Sequence, residues 1–194
     1  MNRTAFFLIT ALLFVSCKEE LPVVDDFGGA RYDLVNMENG KTTFPDFIKG
    51  KIVVMNYIFT NCPDICPLST NNMRLIQERL KKEKIGNVEF VSLSFDPQSD
   101  TPEALSKFAE IRSLDLNNWT FLTGDKTVTD AIIKKAGVIA VPGDSTVFKD
   151  GRKILYYIHT DRIQLIDTES RIRKNYKGSD INIEEIIGDL KSLR

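Results

Sequence analysis

Apolar residues follow two different periods along this chain, and the switches between them outline its elements. Lys51 to Phe59 (KIVVMNYIF) is almost continuously apolar and rich in β-branched residues. That is the signature of a central strand buried on both faces. Val88 to Phe95 repeats it. Between the two, Leu68 to Lys84 takes a helical period, with Leu68, Leu75, Ile76 and Leu80 on one stripe and arginines and lysines opposite. Thr101-Pro102-Glu103 opens another helix, with Thr101 as its cap and Pro102 at the first helical position. Trp119 to Leu122 predicts a short strand, and Asp125 to Ala136 a helix stopped by Gly137. Lys153 to Ile158 and Arg162 to Asp167 read as two strands around a turn, and Ile183 to Leu193 as a closing helix. Near the start, Arg31 to Val35 predicts a strand, Asn39-Gly40 a hairpin turn, and a second strand leads to a loop through Pro45. Strands alternating with helices predict an α/β domain, with the last two strands as an antiparallel hairpin at one edge. In such sheets functional residues gather in the loops beyond the strand ends. The loop after the first buried strand holds two cysteines.

The N-terminus belongs to a different regime. Met1-Asn2-Arg3 carries a positive charge, and Ala5 to Val15 is apolar except for Thr10. A charged start, a short apolar run and a small residue at the cut make a secretory signal. The run is too short for a comfortable membrane span. Leu13-Phe14-Val15-Ser16-Cys17 resembles a bacterial lipoprotein signal, in which the cysteine becomes the lipidated first residue. Several acyl chains on Cys17 would anchor the domain to a membrane of the bacterial cell envelope, with the domain facing the periplasm. Lys18-Glu19-Glu20 also resembles the surface-export signals of some lipoproteins, although a polar tether looks the same. The division expected is therefore a signal peptide over 1–16, a lipidated tether over 17–29 that ends in Gly28-Gly29, and one domain over 30–194. That domain is long enough to bury a core without staples. The net charge of −1 gives no general attraction to nucleic acid.

Removing Cys17 from a count of three cysteines leaves Cys62 and Cys66 as the thiol site. A disulfide across so short a loop removes little chain entropy, so stapling is a poor reason for the pair. At the start of a helix, residues four apart share a face, with Cα atoms roughly 6 Å apart, which suits either a disulfide or one metal ion. A helix N-terminus also favours the thiolate, the form that binds metal or attacks a disulfide. His159 is the sole histidine. Structural zinc sites prefer four Cys or His ligands. Two thiols and one imidazole suit copper better, since thiolate selects Cu(I) and imidazole accommodates Cu(II). Asp96, after the strand ending at Phe95, could lie behind the ligands as an orienting carboxylate. The basic stretch Arg171, Arg173, Lys174 and Lys177 reads as a solvated strand end.

The run FTNCPDICPLST resembles the signature of the Sco/SenC family. SFDPQSDTPEALSKFA and NWTFLTGD resemble two further family segments, in the expected order, and the likeness runs from about residue 30 to the C-terminus. The resemblance implies a thioredoxin-like α/β fold with a central mixed sheet, flanking helices and an N-terminal β-hairpin. It implies copper held by Cys62, Cys66 and His159, with Asp96 as the Asp-Pro aspartate nearby. Ile158 stands where the family usually has an aspartate before the histidine. The implied role is to deliver copper to the dinuclear copper site of cytochrome c oxidase subunit II, or to reduce that subunit's cysteines so that copper can enter. Another exported copper protein is a possible partner.

Two other classes compete. As a thiol–disulfide oxidoreductase, one cysteine would attack a partner disulfide and the other would resolve it. The usual spacing there is two intervening residues, against three here. A thiol peroxidase would need an arginine beside its reactive cysteine, and none lies close in sequence to Cys62 or Cys66.

Overall fold

The computed structural model describes residues 20–151 and 153–194. Cys17 and the signal segment lie outside them. The core is one mixed sheet with strand order β1-β10-β9-β4-β5-β6-β2-β3. The strands are β1 (Asp25–Asp26), β2 (Tyr32–Asn36), β3 (Lys41–Phe44), β4 (Ile52–Ile58), β5 (Val88–Ser94), β6 (Trp119–Thr123), β9 (Ile163–Ile166) and β10 (Arg171–Tyr176). β4, β5 and β6 run parallel, joined by the crossover helices α1 (Ile65–Lys82) and α2 (Pro102–Ile111). The other pairs are antiparallel. α3 (Lys126–Lys135) follows β6, and α4 (Ile183–Ser192) ends the chain against α1. This is the α/β architecture expected, with the β2–β3 hairpin turning at Asn39, φ 61°. Every residue of β4 is buried, as its unbroken apolar run requires.

Buried polar groups tie this sheet to α1. The Trp119 indole donates to Ser92 Oγ at 3.0 Å, and Ser92 Oγ donates to Asn56 Oδ1 at 2.7 Å. Asn56 Nδ2 then reaches Ser69 Oγ, whose hydroxyl donates to the Cys66 carbonyl at 3.2 Å. Each buried group thus has a partner, and the ladder pins the first turn of α1 over the middle of the sheet.

Four expectations need correction. The two late strands do not form an edge hairpin. β8 (Lys153–His159) pairs instead with β7 (Ala140–Val147) in a separate two-stranded sheet. β9 enters the main sheet between β10 and β4, because all four of its residues are buried and need cover on both faces. Leu68 lies off the buried stripe of α1 and is 43 % exposed; Cys66, Met73, Ile76 and Leu80 face the core. The basic stretch lies in β10 from Arg171 to Lys174, and only Lys177, past the strand end, is solvated. Arg173 is 4 % exposed and pairs with Asp167 at 2.8 Å, and Lys174 pairs with Glu185 and Asp189 of α4. From Glu20 onward the stretch expected as a tether is docked. Arg173 also holds Glu20 and the Leu21 carbonyl, and Phe27 is wholly buried. Among the described residues, no helix is long and apolar enough to cross a membrane.

Candidate metal centre

Three chain crossings meet at the C-terminal end of β4. Pairing of Ile58 with Ser94 sets the ends of β4 and β5 level, and the Phe95 amide continues the ladder to the Ile58 carbonyl at 3.0 Å. β9 runs antiparallel to β4 with Ile163 opposite Asn56. The residues just before Ile163 therefore sit at the same end of the sheet. There the structure brings together Cys62, Cys66 and His159, whose Sγ and imidazole nitrogen atoms all lie within 4.8 Å of one another.

The cysteines are held by the start of α1. This helix begins at Ile65, so Cys66 sits in its first turn rather than just before it. No side chain caps the Asp64 position. Instead the Cys66 amide points at Cys62 Sγ, 3.4 Å away. The sulfur thus fills the acceptor role that Ser or Asp usually fills at a helix start. A hydrogen bond from the Cys66 thiol does most to lower the Cys62 pKa, from 9.0 to about 4, against the cost of burial, with smaller help from His159 and from the Cys66 amide. Cys66 moves the other way: its bond to Cys62 and its full burial hold its proton on. The pair is thus drawn apart, Cys62 toward thiolate and Cys66 toward thiol, and both cysteines are free.

His159 closes β8. Its Nδ1 donates to the Thr160 carbonyl at 3.2 Å, which leaves Nε2 facing the sulfurs, 3.7 Å from Cys66 Sγ. Burial disfavours the imidazolium, yet the hydrogen bonds to Cys62 and to Thr160 outweigh it and raise the pKa above 6.5. At metal–ligand distances of about 2.0–2.3 Å, ligand atoms around one ion lie about 3.5–4 Å apart. The observed spacing needs closure of about 1 Å at most, on soft donors that favour copper. Phe59, Tyr157 and Ile158 line the mouth with Cys62 and His159, in a pocket of about 330 Å³.

Asp96 is buried behind this site, 2 % exposed. The Tyr157 hydroxyl donates to its Oδ1 at 3.0 Å, and its Oδ2 has no partner among the described residues. Sequence reasoning missed Tyr157, yet a signal existed: on a strand, residues 157 and 159 share a face. It also gave no role to Asp100. That carboxylate is fully buried and accepts from Ser94 Oγ and from the Thr60 amide and hydroxyl. Burial pushes its pKa up to about 6 despite those bonds. Asp100 thereby ties the cysteine loop to the segment after β5.

A family model described as SCO1/SenC matches residues 24–194. The "SCO1 protein homolog" of Bacillus subtilis is 34 % identical over 160 residues, covering 80 % of this chain and 77 % of its own length. A solved SCO1/SenC family lipoprotein from Bacillus anthracis superposes with a TM-score of 0.70 at 32 % identity, covering 84 % of this chain and 93 % of that one. BsSco, described as a member of the Sco family of cytochrome c oxidase assembly proteins, gives 0.72 at 27 % identity over 90 % and 98 %. Bradyrhizobium japonicum ScoI with copper bound gives 0.68 at 25 % identity over 85 % and 98 %.

Proposed function

This chain belongs to the SCO1/SenC family, and from that premise we propose that it is a copper-binding factor for assembly of cytochrome c oxidase. Its cargo is copper, and its ligands are Cys62, Cys66 and His159. The observation that carries this reading is the convergence of two sulfurs and one imidazole nitrogen within 4.8 Å. The donor set matches a soft ion, and the copper-bound relative shares the fold. The target is the dinuclear copper site of oxidase subunit II or another exported copper protein. Cys17 carries the lipid that holds the domain at the envelope membrane, a reading supported by the signal-like segment before it and by the lipoprotein relative.

Binding displaces the Cys66 proton and any proton on the imidazole Nε2, so copper affinity should rise with pH. The purified domain should bind one copper ion per chain. Cys62→Ser should lose at least about tenfold in affinity, as loss of a ligand weakens a site more than loss of a supporting residue does. Wild-type protein that takes up no Cu(I) or Cu(II), or a Cys62→Ser variant that binds as tightly, would sink the proposal.

The unequal cysteines favour one second reading, reduction of a partner's disulfide. The Cys62 thiolate attacks one sulfur of the partner, whose other sulfur leaves as thiolate. Cys66, losing its proton, then displaces the partner from Cys62 and leaves a Cys62–Cys66 disulfide. His159 is not needed for those two steps. A His159→Ala variant that still exchanges thiols but fails to support oxidase assembly would exclude reduction as the whole function.

A further inference from the structure

His159 rides on a hairpin outside the main sheet. β7 and β8 pair only with each other, and residues 141–147 are all exposed. The last residues of β8 carry contacts that seat this hairpin on the body. Tyr157 packs edge-on against Phe59 and Phe95, with ring centroids 5.2 and 5.3 Å apart. His159 meets the same two rings at 5.9 and 5.1 Å. Ring contacts of this kind hold a strand against a surface but resist sliding along it poorly, because dispersion is not directional. A directional contact crosses the same junction: the Tyr157 hydroxyl to Asp96 Oδ1, 3.0 Å. Asp96 is a firm anchor, since its own amide is linked to Ser94 Oγ at 3.0 Å and the residue is almost wholly buried.

We propose that Tyr157 and Asp96 form a latch that seats the β7–β8 hairpin on the ends of β4 and β5 and thereby sets His159 within ligand distance of Cys62 and Cys66. Tyr157 is a positioning residue that acts through His159, two positions along the same face of β8. The role in copper binding rests on the reading given above; the seating of the hairpin does not. Without the hydroxyl, Asp96 keeps no side-chain donor among those seen, and the register of β8 over the sulfurs loses its directional restraint.

The test uses Tyr157→Phe, which keeps the ring and deletes the hydroxyl. In the metal-free protein, amide hydrogen exchange along β8 should quicken while α1 and β4 stay at wild-type rates. In a Cu(II) competition titration, affinity should fall by about tenfold, the usual size for loss of a group supporting a ligand. The Cu(II) paramagnetic resonance spectrum should move toward that of His159→Ala, and Cu(I) binding should fall less. Asp96→Asn, which keeps an acceptor oxygen, should retain most of the effect, whereas Asp96→Ala should match Tyr157→Phe. The two deletions combined should be no worse than either alone. Unchanged exchange along β8 in Tyr157→Phe would overturn the latch whether or not copper binds. Faster exchange with Cu(II) affinity within twofold of wild type would overturn its role in setting His159. A wild-type protein that binds no copper but shows the exchange difference would leave the latch standing and remove the copper reading instead.

Discussion

Cys62 and Cys66 lie four residues apart but are pulled in opposite directions, chiefly because the Cys66 thiol hydrogen-bonds to the Cys62 sulfur, with His159 and the Cys66 amide adding to the effect. The Cys62 pKa falls below that of an unfolded thiol, so its ionised form contributes stability that is fully present above pH 9. That contribution is lost as pH drops toward 4. Cys66 has the opposite sign: its proton stabilises the fold below pH 9 and that contribution is lost above it. The consequence at working pH is selective reactivity. Iodoacetamide should modify Cys62, 9 % exposed, and spare Cys66, fully buried. Between pH 5 and 8 the rate should stay nearly flat, whereas an ordinary thiol gains about tenfold per pH unit below its pKa. Peptide mapping of the alkylated protein reads both outcomes, and labelling that climbs with pH would show that Cys62 is not held as thiolate. At this scale the thiols and the imidazole were legible because their residue types are scarce and reactive. Tyr157 was marked only by sharing a strand face with His159, and its pairing with a carboxylate 61 positions away had no mark in the sequence.

Elements were legible where the apolar period was unbroken. β4, β5, α2 and α3 fall close to their predicted spans, down to the Thr101 side chain accepting from the Ala104 amide and Gly137 at φ 65°. Partnerships between elements were not legible. β7 contains Pro142, Gly143 and a register shift before Ser145, so it reads as loop while still pairing with β8. α1 begins earlier than its apolar stripe because the Cys62 sulfur, not a conventional cap, receives the Cys66 amide. β10 hid behind its charges. Arg173 and Asp167 are a buried ion pair, 4 % and 5 % exposed at their side chains, linking β10 to the turn that follows β9. Such a pair can contribute little net stability while intact, but removing one partner strands a charge in the interior. Asp167→Ala should therefore cost about 3 kcal/mol in denaturant unfolding. A loss below about 1 kcal/mol would mean that Glu20 and the Leu21 carbonyl already satisfy the guanidinium.

At the scale of the molecule, the same arginine reaches past its sheet. By holding Glu20 and Leu21, Arg173 begins the packed domain only two residues after Cys17 and its immediate neighbour Lys18 have passed. With Cys17 acylated, the linker left is Lys18-Glu19, a reach of about 10 Å at full extension. Cys17→Ser should release the domain from the membrane fraction into the soluble fraction on cell lysis, with its copper stoichiometry unchanged. Retention of Cys17→Ser in the membrane fraction would refute lipid anchoring through that residue. Across the whole chain, the family likeness anticipated the fold and pointed to the three residues that the structure brings together. The depth at which the N-terminal strap is tied in depended on one buried arginine that composition disguised as surface charge.

The hairpin that carries His159 gives this site an unequal grip. The sulfurs sit on the turn after β4 and the first turn of α1, over the main sheet, while the imidazole sits on the separate β7–β8 hairpin. A hold built this way can be opened one finger at a time. On the copper-binding reading proposed above, drawing the appendage back would free one coordination place for a donor from another protein while both sulfurs kept their hold.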